Sequence, residues 1–323
     1  MIDRVIDFSV RNKLLIFLAV AIGCGWGWWS IAHTHLDAIP DLGDTQVIIL
    51  SRWDRSPDLV ESQITYPIVT AMLGAPHVKT VRGVSDFGYS YVYVIFDDGT
   101  DLYWARSRTL EYMAGVLSRL PEGAKTELGP DATSLGWVFQ YALVDTTGRH
   151  SLAELRSYED WKLRYHLRSV PGVADVAPVG GYTRQYQVNL DPNRLQGYGI
   201  PISQVVNAVR EGNNETSARL LDFGGTEYMV RGRGYATSIE DFENIVVASS
   251  EDGTPIRVKN LGEVVEGPDL RRGITDLNGA GEVVSGVVVM RSGENALEVI
   301  DHVKAKLKEI EPSLPQGVSI VPI

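Results

Sequence analysis

Soft-metal ligation needs thioethers or thiolates gathered in space, and a divalent cation needs imidazoles and carboxylates at ligand spacing. The chain has five methionines, Met1, Met72, Met113, Met229 and Met290, and one cysteine, Cys24. Each methionine stands alone in sequence and most fall on apolar faces, so core packing accounts for them better than ligation. His33-Thr34-His35 with Asp37 is a short spacing that offers nitrogen and oxygen to a metal. A polar collar beside an apolar segment competes with that reading; His33 and His35 stay as candidates and no residue is assigned as a ligand. Asp97-Asp98 with Asp101 reads as turn and cap chemistry. The histidines at 77, 150, 166 and 302 are scattered, and no nucleophile-elbow, zinc-helix or phosphate-loop string occurs. No catalytic or cofactor-binding residue is expected, and an enzyme is not the reading.

These side chains sit in a chain of 323 residues with net charge −11, mean hydropathy −0.05 and one cysteine. The length predicts two or three domains. The acidic balance argues against a nucleic-acid partner. The average also excludes a polytopic membrane bundle and a disordered chain, but it hides one segment.

Leu14 to Ala32 reads LLIFLAVAIGCGWGWWSIA, nineteen residues without a formal charge. At 1.5 Å per residue such a helix matches a bilayer core of about 30 Å. Leu14, Cys24 and Ile31 mark its start, middle and end. Arg4, Arg11 and Lys13 precede it, and Asp37, Asp41 and Asp44 come after it, which predicts a cytoplasmic N-terminus with the bulk of the chain outside. Trp26, Trp28 and Trp29 suit the outer interface. A cleaved signal peptide would carry a shorter apolar core and small residues before the cut, so an uncleaved transmembrane helix is the expectation.

Beyond the apolar segment the residues predict a β-α-β-β-α-β unit. Val47–Leu50 reads as a buried strand. Ser56-Pro57-Asp58 predicts a cap and first turn for a helix to about Leu73. Val78–Ser85 and Tyr89–Phe96 read as strands, Asp101 as the cap of a second helix, and a last strand comes after Gly123. The pattern recurs from Trp137–Val144, with Ser151 and Glu154 as a capping box for a helix to about Arg168. Pro171-Gly172-Val173 matches Pro76-His77-Val78 at an offset of 95, and Leu314-Pro315-Gln316-Gly317 matches Leu120-Pro121-Glu122-Gly123 at 194. Two offsets within one repeat mean that the second copy is interrupted by an insertion of about the difference. The fold class is therefore α+β, with two ferredoxin-like split βαβ units, the second interrupted by an α+β insertion.

The expected domains are 1–36, cytoplasmic N-terminus and membrane helix; 37–135, first unit; 136–181 with 274–323, second unit; and 182–273, the insertion. In the insertion a helix is expected over Ser203–Arg210. Strands are expected at Tyr186–Leu190, Tyr228–Arg231, Ile245–Ala248 and Ile256–Lys259, with a capping box Ser238…Asp241. The polar stretch Glu211–Ser217 and the Gly-Gly at 224–225 read as an exposed loop.

Several strings resemble the heavy-metal branch of the resistance–nodulation–division exporters (CusA- and CzcA-like), nearest its copper/silver members. They include Asp37-Ala38-Ile39-Pro40-Asp41-Leu42, Tyr103-Trp104-Ala105-Arg106-Ser107-Arg108, Leu128-Gly129-Pro130-Asp131-Ala132-Thr133 and Glu227-Tyr228-Met229-Val230-Arg231. The resemblance implies porter subdomains and an inserted docking domain. It also implies an inner-membrane homotrimer working with a periplasmic adaptor and an outer-membrane channel, and metal/proton antiport. The transported ion would be copper or silver rather than zinc, cobalt or cadmium. The loop at Asn213, Asn214, Asp222 and Gly225 would reach a neighbouring protomer. Leu270 stands where copper/silver members carry a methionine, and leucine cannot ligate metal. The family's proton-relay aspartate and cleft methionines would lie beyond Ile323, so these residues alone are not expected to transport. The competing class is a membrane-anchored periplasmic binding or scaffolding module without transport activity.

Overall fold

The computed structural model describes residues 8–32, 43–133, 135–250, 252–271 and 273–323. It is a mixed α/β chain with one long apolar helix near its N-terminus and antiparallel sheets thereafter. Helix α1 spans Lys13–Ala32. The chain divides into two compact units, one of residues up to 147 with 159–179 and 285–323, the other of 148–158 with 180–284.

The first unit holds two four-stranded sheets. One contains β1 (Gln46–Arg52), β2 (Val78–Asp86), β3 (Tyr89–Phe96) and β4 (Lys125–Leu128) in the order β2-β3-β1-β4. The other contains β5 (Trp137–Asp145), β6 (Val173–Val179), β13 (Val284–Met290) and β14 (Val318–Pro322) in the order β14-β5-β13-β6. Read as first to fourth strand of each copy, the two orders are the same. Strand alternation explains why the sheets hold. Val47 and Ile49 of β1, with Val92, Val94 and Phe96 of β3, point to one face and are buried. That face is covered by helix α2, which runs Pro57–Val60 and Tyr66–Met72 around a π-helical turn at Glu61–Thr65, and by α3 (Leu102–Leu117). Ile64, Ile68, Met72, Ala105 and Met113 supply the contacts. Each large apolar side chain removed from water there contributes about 1.5–3 kcal/mol.

The caps divide. Asp101 accepts from the Trp104 N–H at 2.8 Å, as expected. Ser56 has the extended backbone of a cap but its side chain makes no cap bond, so Pro57 alone organises that end. In the second copy, Ser151 and Glu154 form the reciprocal box, Ser151 N–H to Glu154 Oε2 at 2.8 Å and Glu154 N–H to Ser151 Oγ at 3.2 Å. The helix they open, α4, comprises Leu152–Tyr158 and Arg164–Arg168 around a π-helical turn at Glu159–Leu163. A last helix, α9, covers Ala296–Ile310 and buries Val299, Val303 and Leu307.

In the second unit, β7 (Arg184–Leu190) pairs with β12 (Gly262–Pro268) and β10 (Val246–Ser249) with β11 (Pro255–Arg257). Helices α5 (Pro192–Tyr198), α6 (Ile202–Gly212) and α7 (Ile239–Glu243) pack into a core of Leu195, Val205, Phe242, Val258 and Leu261. The capping box at Ser238 and Asp241 forms. Two expectations are corrected. The strand expected over Ile256–Lys259 stops at Arg257, because Asn260 Oδ1 accepts from the Arg257 N–H at 2.8 Å and opens a short helix, α8 (Val258–Leu261). The loop expected over Asn213–Gly225 is largely strand: β8 (Thr216–Phe223) pairs with β9 (Thr226–Gly232). Gly224 and Gly225 turn the hairpin, with φ of 64° and 77°. Two consecutive left-handed residues match the twist of the flanking strands, and only glycine takes both at little cost.

Candidate functional site

No group of three or more His, Cys, Asp or Glu side chains that could hold a metal occurs among the described residues. Met72, Met113 and Met290 are buried in the cores, whereas Met229 is exposed on β9. Cys24 is exposed on α1. His33, His35 and Asp37 lie outside the described residues. The acidic run at 97–101 is occupied by other work. Asp101 caps α3, Asp97 faces His77 Nδ1 at 3.7 Å, and Asp98 pairs with Lys79 at 3.5 Å. Lys79 is held above its ordinary pKa, first by its hydrogen bond to Asp44 and then by the charges of Asp44 and Asp98. Leu270 is exposed. A groove of about 680 Å³ runs between α6, α7 and β10, lined by Gln204, Asn207, Glu211, Asp241 and Asn244. Its Asp241 is committed to the α7 cap, where hydrogen bonds, first from the Thr237 N–H, keep that carboxyl below its usual range.

Two stretches of the described residues instead present mostly exposed apolar side chains. The first is α1. Residues Lys13–Ile31 have a mean hydropathy of 1.8 and none of that stretch is buried, so the helix is long and apolar enough to cross a membrane. Leu14, Trp28 and Ile31 are among its most exposed side chains. An all-round apolar surface of this length is stable only against an apolar medium or other helices.

The second is the hairpin β8–β9. Leu220, Leu221, Phe223, Tyr228 and Met229 are exposed on it, Phe223 at 81%. Its two flanks are tied to each other at the base: Asn213 Oδ1 accepts from the Ala236 N–H at 2.9 Å, Arg231 pairs with Glu215, and the Asn214 carbonyl lies against Gly234, where a Cβ would clash. The described side chains of the arm thus include a cluster of exposed apolar groups, the kind of surface at which interaction sites occur. Asn213 and Asn214 stand at its root, Asp222 near its end and Gly225 in its turn. Reading this segment as polar loop missed Leu220, Leu221 and Phe223; the glycine pair between two β-rich runs was the signal available.

The AcrB/AcrD/AcrF family matches residues 5–323, nearly the whole chain. The chain belongs to the AcrB/AcrD/AcrF family. Within it, the chain is 51% identical over 322 residues to the cation efflux system protein CusA of Escherichia coli strain K12, covering 99% of this chain and 31% of CusA. It is 36% identical over 331 residues to the cobalt-zinc-cadmium resistance protein CzcA of Cupriavidus metallidurans, covering 100% of this chain and 31% of CzcA. A crystal structure of a heavy metal efflux pump superposes with a TM-score of 0.86 at 32% identity, covering 98% of this chain and 32% of the pump. Its relatives in the AcrB/AcrD/AcrF family are therefore heavy-metal efflux proteins, and the chain spans about a third of their length.

Proposed function

We propose that these residues are the N-terminal part of an inner-membrane heavy-metal cation/proton antiporter that exports copper or silver through a tripartite system. The similarity that runs unbroken from the membrane helix to Ile323, higher to CusA than to CzcA, carries this reading. In it, residues 1–36 hold the cytoplasmic N-terminus and membrane helix, and 37–135 form a first porter subdomain. Residues 136–181 with 274–323 form a second, and 182–273 a docking domain. The shared strand order of the two four-stranded sheets supports reading both porters as ferredoxin-like. Arg4, Arg11 and Lys13 at the N-terminal side of the apolar segment, against Asp37, Asp41 and Asp44 beyond it, support a cytoplasmic N-terminus and a periplasmic bulk. The whole protein works as a homotrimer with a periplasmic adaptor and an outer-membrane channel. The hairpin with Asn213, Asn214, Asp222 and Gly225 is its contact with a neighbouring protomer.

With a single apolar helix of membrane-crossing length among the described residues, these residues by themselves enclose no path across a bilayer and do not transport. The test is complementation in a host lacking its own copper/silver pump. The chain alone is expected to leave copper and silver sensitivity unchanged. The chain joined to the remaining two thirds of CusA is expected to restore copper and silver resistance without zinc or cobalt resistance. Resistance from the chain alone, or a chimera that is stable in the membrane yet inactive, would overturn the reading.

A further inference from the structure

The passage from the first sheet to the second leaves β4 at Leu128 and enters β5 at Trp137. A linker free of contacts would let the two copies of the repeat move independently. This one is fastened on both sides. The Gly129 N–H continues the ladder to the Ile48 carbonyl at 2.7 Å, and Arg106 of α3 donates to the Gly129 carbonyl at 2.8 Å. On the other side the Ser292 N–H donates to the Asp131 carbonyl at 3.0 Å, and the Met290 N–H to the Gly136 carbonyl at 2.7 Å.

One atom belongs to both sides. Asp131 Oδ2 accepts the Tyr103 hydroxyl at 3.2 Å and lies 3.4 Å from Arg291 Nε. Tyr103 stands in the first turn of α3, just past the turn that ends β3. Arg291 stands in the turn that ends β13, and at the repeat offset of 194 it is the counterpart of Asp97 in that first turn. Equivalent corners of the two copies therefore meet at a single carboxylate. Asp131 is the most enclosed member of the ion pair, its side chain 20% exposed against 47% for Arg291. Partial desolvation strengthens such a pair over an open surface one, and an oxygen shared by two donors loses both at once when it leaves. Burial, and after it the Asp131 charge, raises the Tyr103 phenol above its ordinary pKa, so it stays a donor at neutral pH.

We propose that Asp131 is a positioning residue that pins the joint between the two copies of the repeat, so that they move as one body while it is engaged and pivot about the linker when it is released. Tyr103, Asp131, Arg291 and nearly all of both four-stranded sheets fall in the same compact unit, as such a pin requires. Nothing in this proposal depends on transport, and its test does not use transport.

The test uses the full chain in nanodiscs with Cys24→Ser, spin-labelled at Ala114→Cys on α3 and Ala305→Cys on α9, both exposed positions. Pulsed electron resonance reads the spread of distances between them. The parent is expected to give one narrow distribution. Asp131→Ala is expected to widen it at least twofold, and Tyr103→Phe and Arg291→Gln to widen it less. The double variant Tyr103→Phe/Arg291→Gln should be no wider than Asp131→Ala, because all three groups act through one oxygen. Asp131→Arg is expected to widen the distribution and Asp131→Arg/Arg291→Asp to narrow it again, a rescue that lost packing would not give. Unchanged widths in Asp131→Ala would overturn the proposal. So would a widening that the charge exchange fails to reverse, or one that accompanies general loss of amide protection in both sheets.

Discussion

The two copies of the repeat share a strand order and differ in what they bury beneath it. Each first helix carries a π-helical turn, and each turn puts a polar side chain against its sheet. In the first copy it is Thr65, whose hydroxyl lies 2.7 Å from Ser85 Oγ and 2.8 Å from Ser90 Oγ, over a recess at Gly83. In the second it is Glu159, fully buried, with the Tyr141 hydroxyl donating to its Oε1 at 2.7 Å over a recess at Gly286. One topology thus tolerates a neutral hydroxyl cluster in one copy and a carboxyl–phenol pair in the other. The lesson is that duplication conserves the strand order and the apolar face, whereas the polar group and the glycine that makes room for it differ: Gly83 lies on the second strand of its copy beneath Thr65, and Gly286 on the third strand of its copy beneath Tyr141. π-turns recur where a side chain must be re-aimed, and both copies use them that way. Burial, and then the Glu159 charge, pushes the Tyr141 phenol well above its ordinary pKa, so that hydroxyl remains a donor.

The comparison can be broken hardest at Tyr141. Tyr141→Ala leaves a large void as well as removing the donor, with an expected loss of about 3–5 kcal/mol. Hydrogen exchange should show amide protection falling across β5 and β13 while β1 and β3 keep theirs. Loss spread equally over both sheets would mean that the copies are not separable in stability. Gly286→Ala comes next. Its Cβ would run into the Tyr141 ring and hydroxyl, and overpacking of that kind costs about 1–3 kcal/mol.

Gly83→Ala in the first copy should cost less, because its Cβ would press on one methyl, Thr65 Cγ2, with Val69 Cγ2 next at 3.1 Å, whereas at Gly286 it would meet both the ring and the hydroxyl of Tyr141. Chemical denaturation of the two variants side by side orders them. An equal or larger effect at Gly83 would show that the hydroxyl cluster is the stiffer of the two recesses. Thr65→Val keeps shape and removes the shared hydroxyl, with an expected loss of about 1 kcal/mol read as protection lost at β2 and β3.

The smallest expected effect is in pH. Glu154 is held below its ordinary pKa of 4.5, first by the Ser151 backbone N–H, whereas Ser56 offers the first copy no such side-chain cap. A carboxylate with a depressed folded pKa contributes stability above 4.5 and loses it as the pH falls through its folded value. Acidification below 4.5 should therefore fray Leu152–Leu155 before Pro57–Val60, as amide exchange at those helix starts would read. Simultaneous fraying would remove the cap as the source of the difference.

Much of this was legible in residue order. The nineteen uncharged residues from Leu14, the strand alternation in β3, the capping pairs at 151/154 and 238/241 and the two repeat offsets each carry their meaning within a short window. The interrupted second copy emerged from those offsets alone. The π-turns left no mark, because Glu61–Thr65 and Glu159–Leu163 have ordinary helical composition and only the fit against the sheet selects the wider turn. Of the hairpin, β9 was expected at Tyr228–Arg231 but β8 was misread, since the described residues of the arm are exposed and the alternation that betrays a half-buried strand is missing.

The sequence by itself determined the long apolar helix, the recurrent strand order and the family, because periodicity, caps and strings are local and survive without contacts. Only the tertiary structure decided which polar groups meet. Thr65 with Ser90, Tyr141 with Glu159, and Tyr103 with Arg291 across Asp131 lie 18 to 188 residues apart. Such pairings depend on strand register and helix phase at once, and no single window of residues carries both.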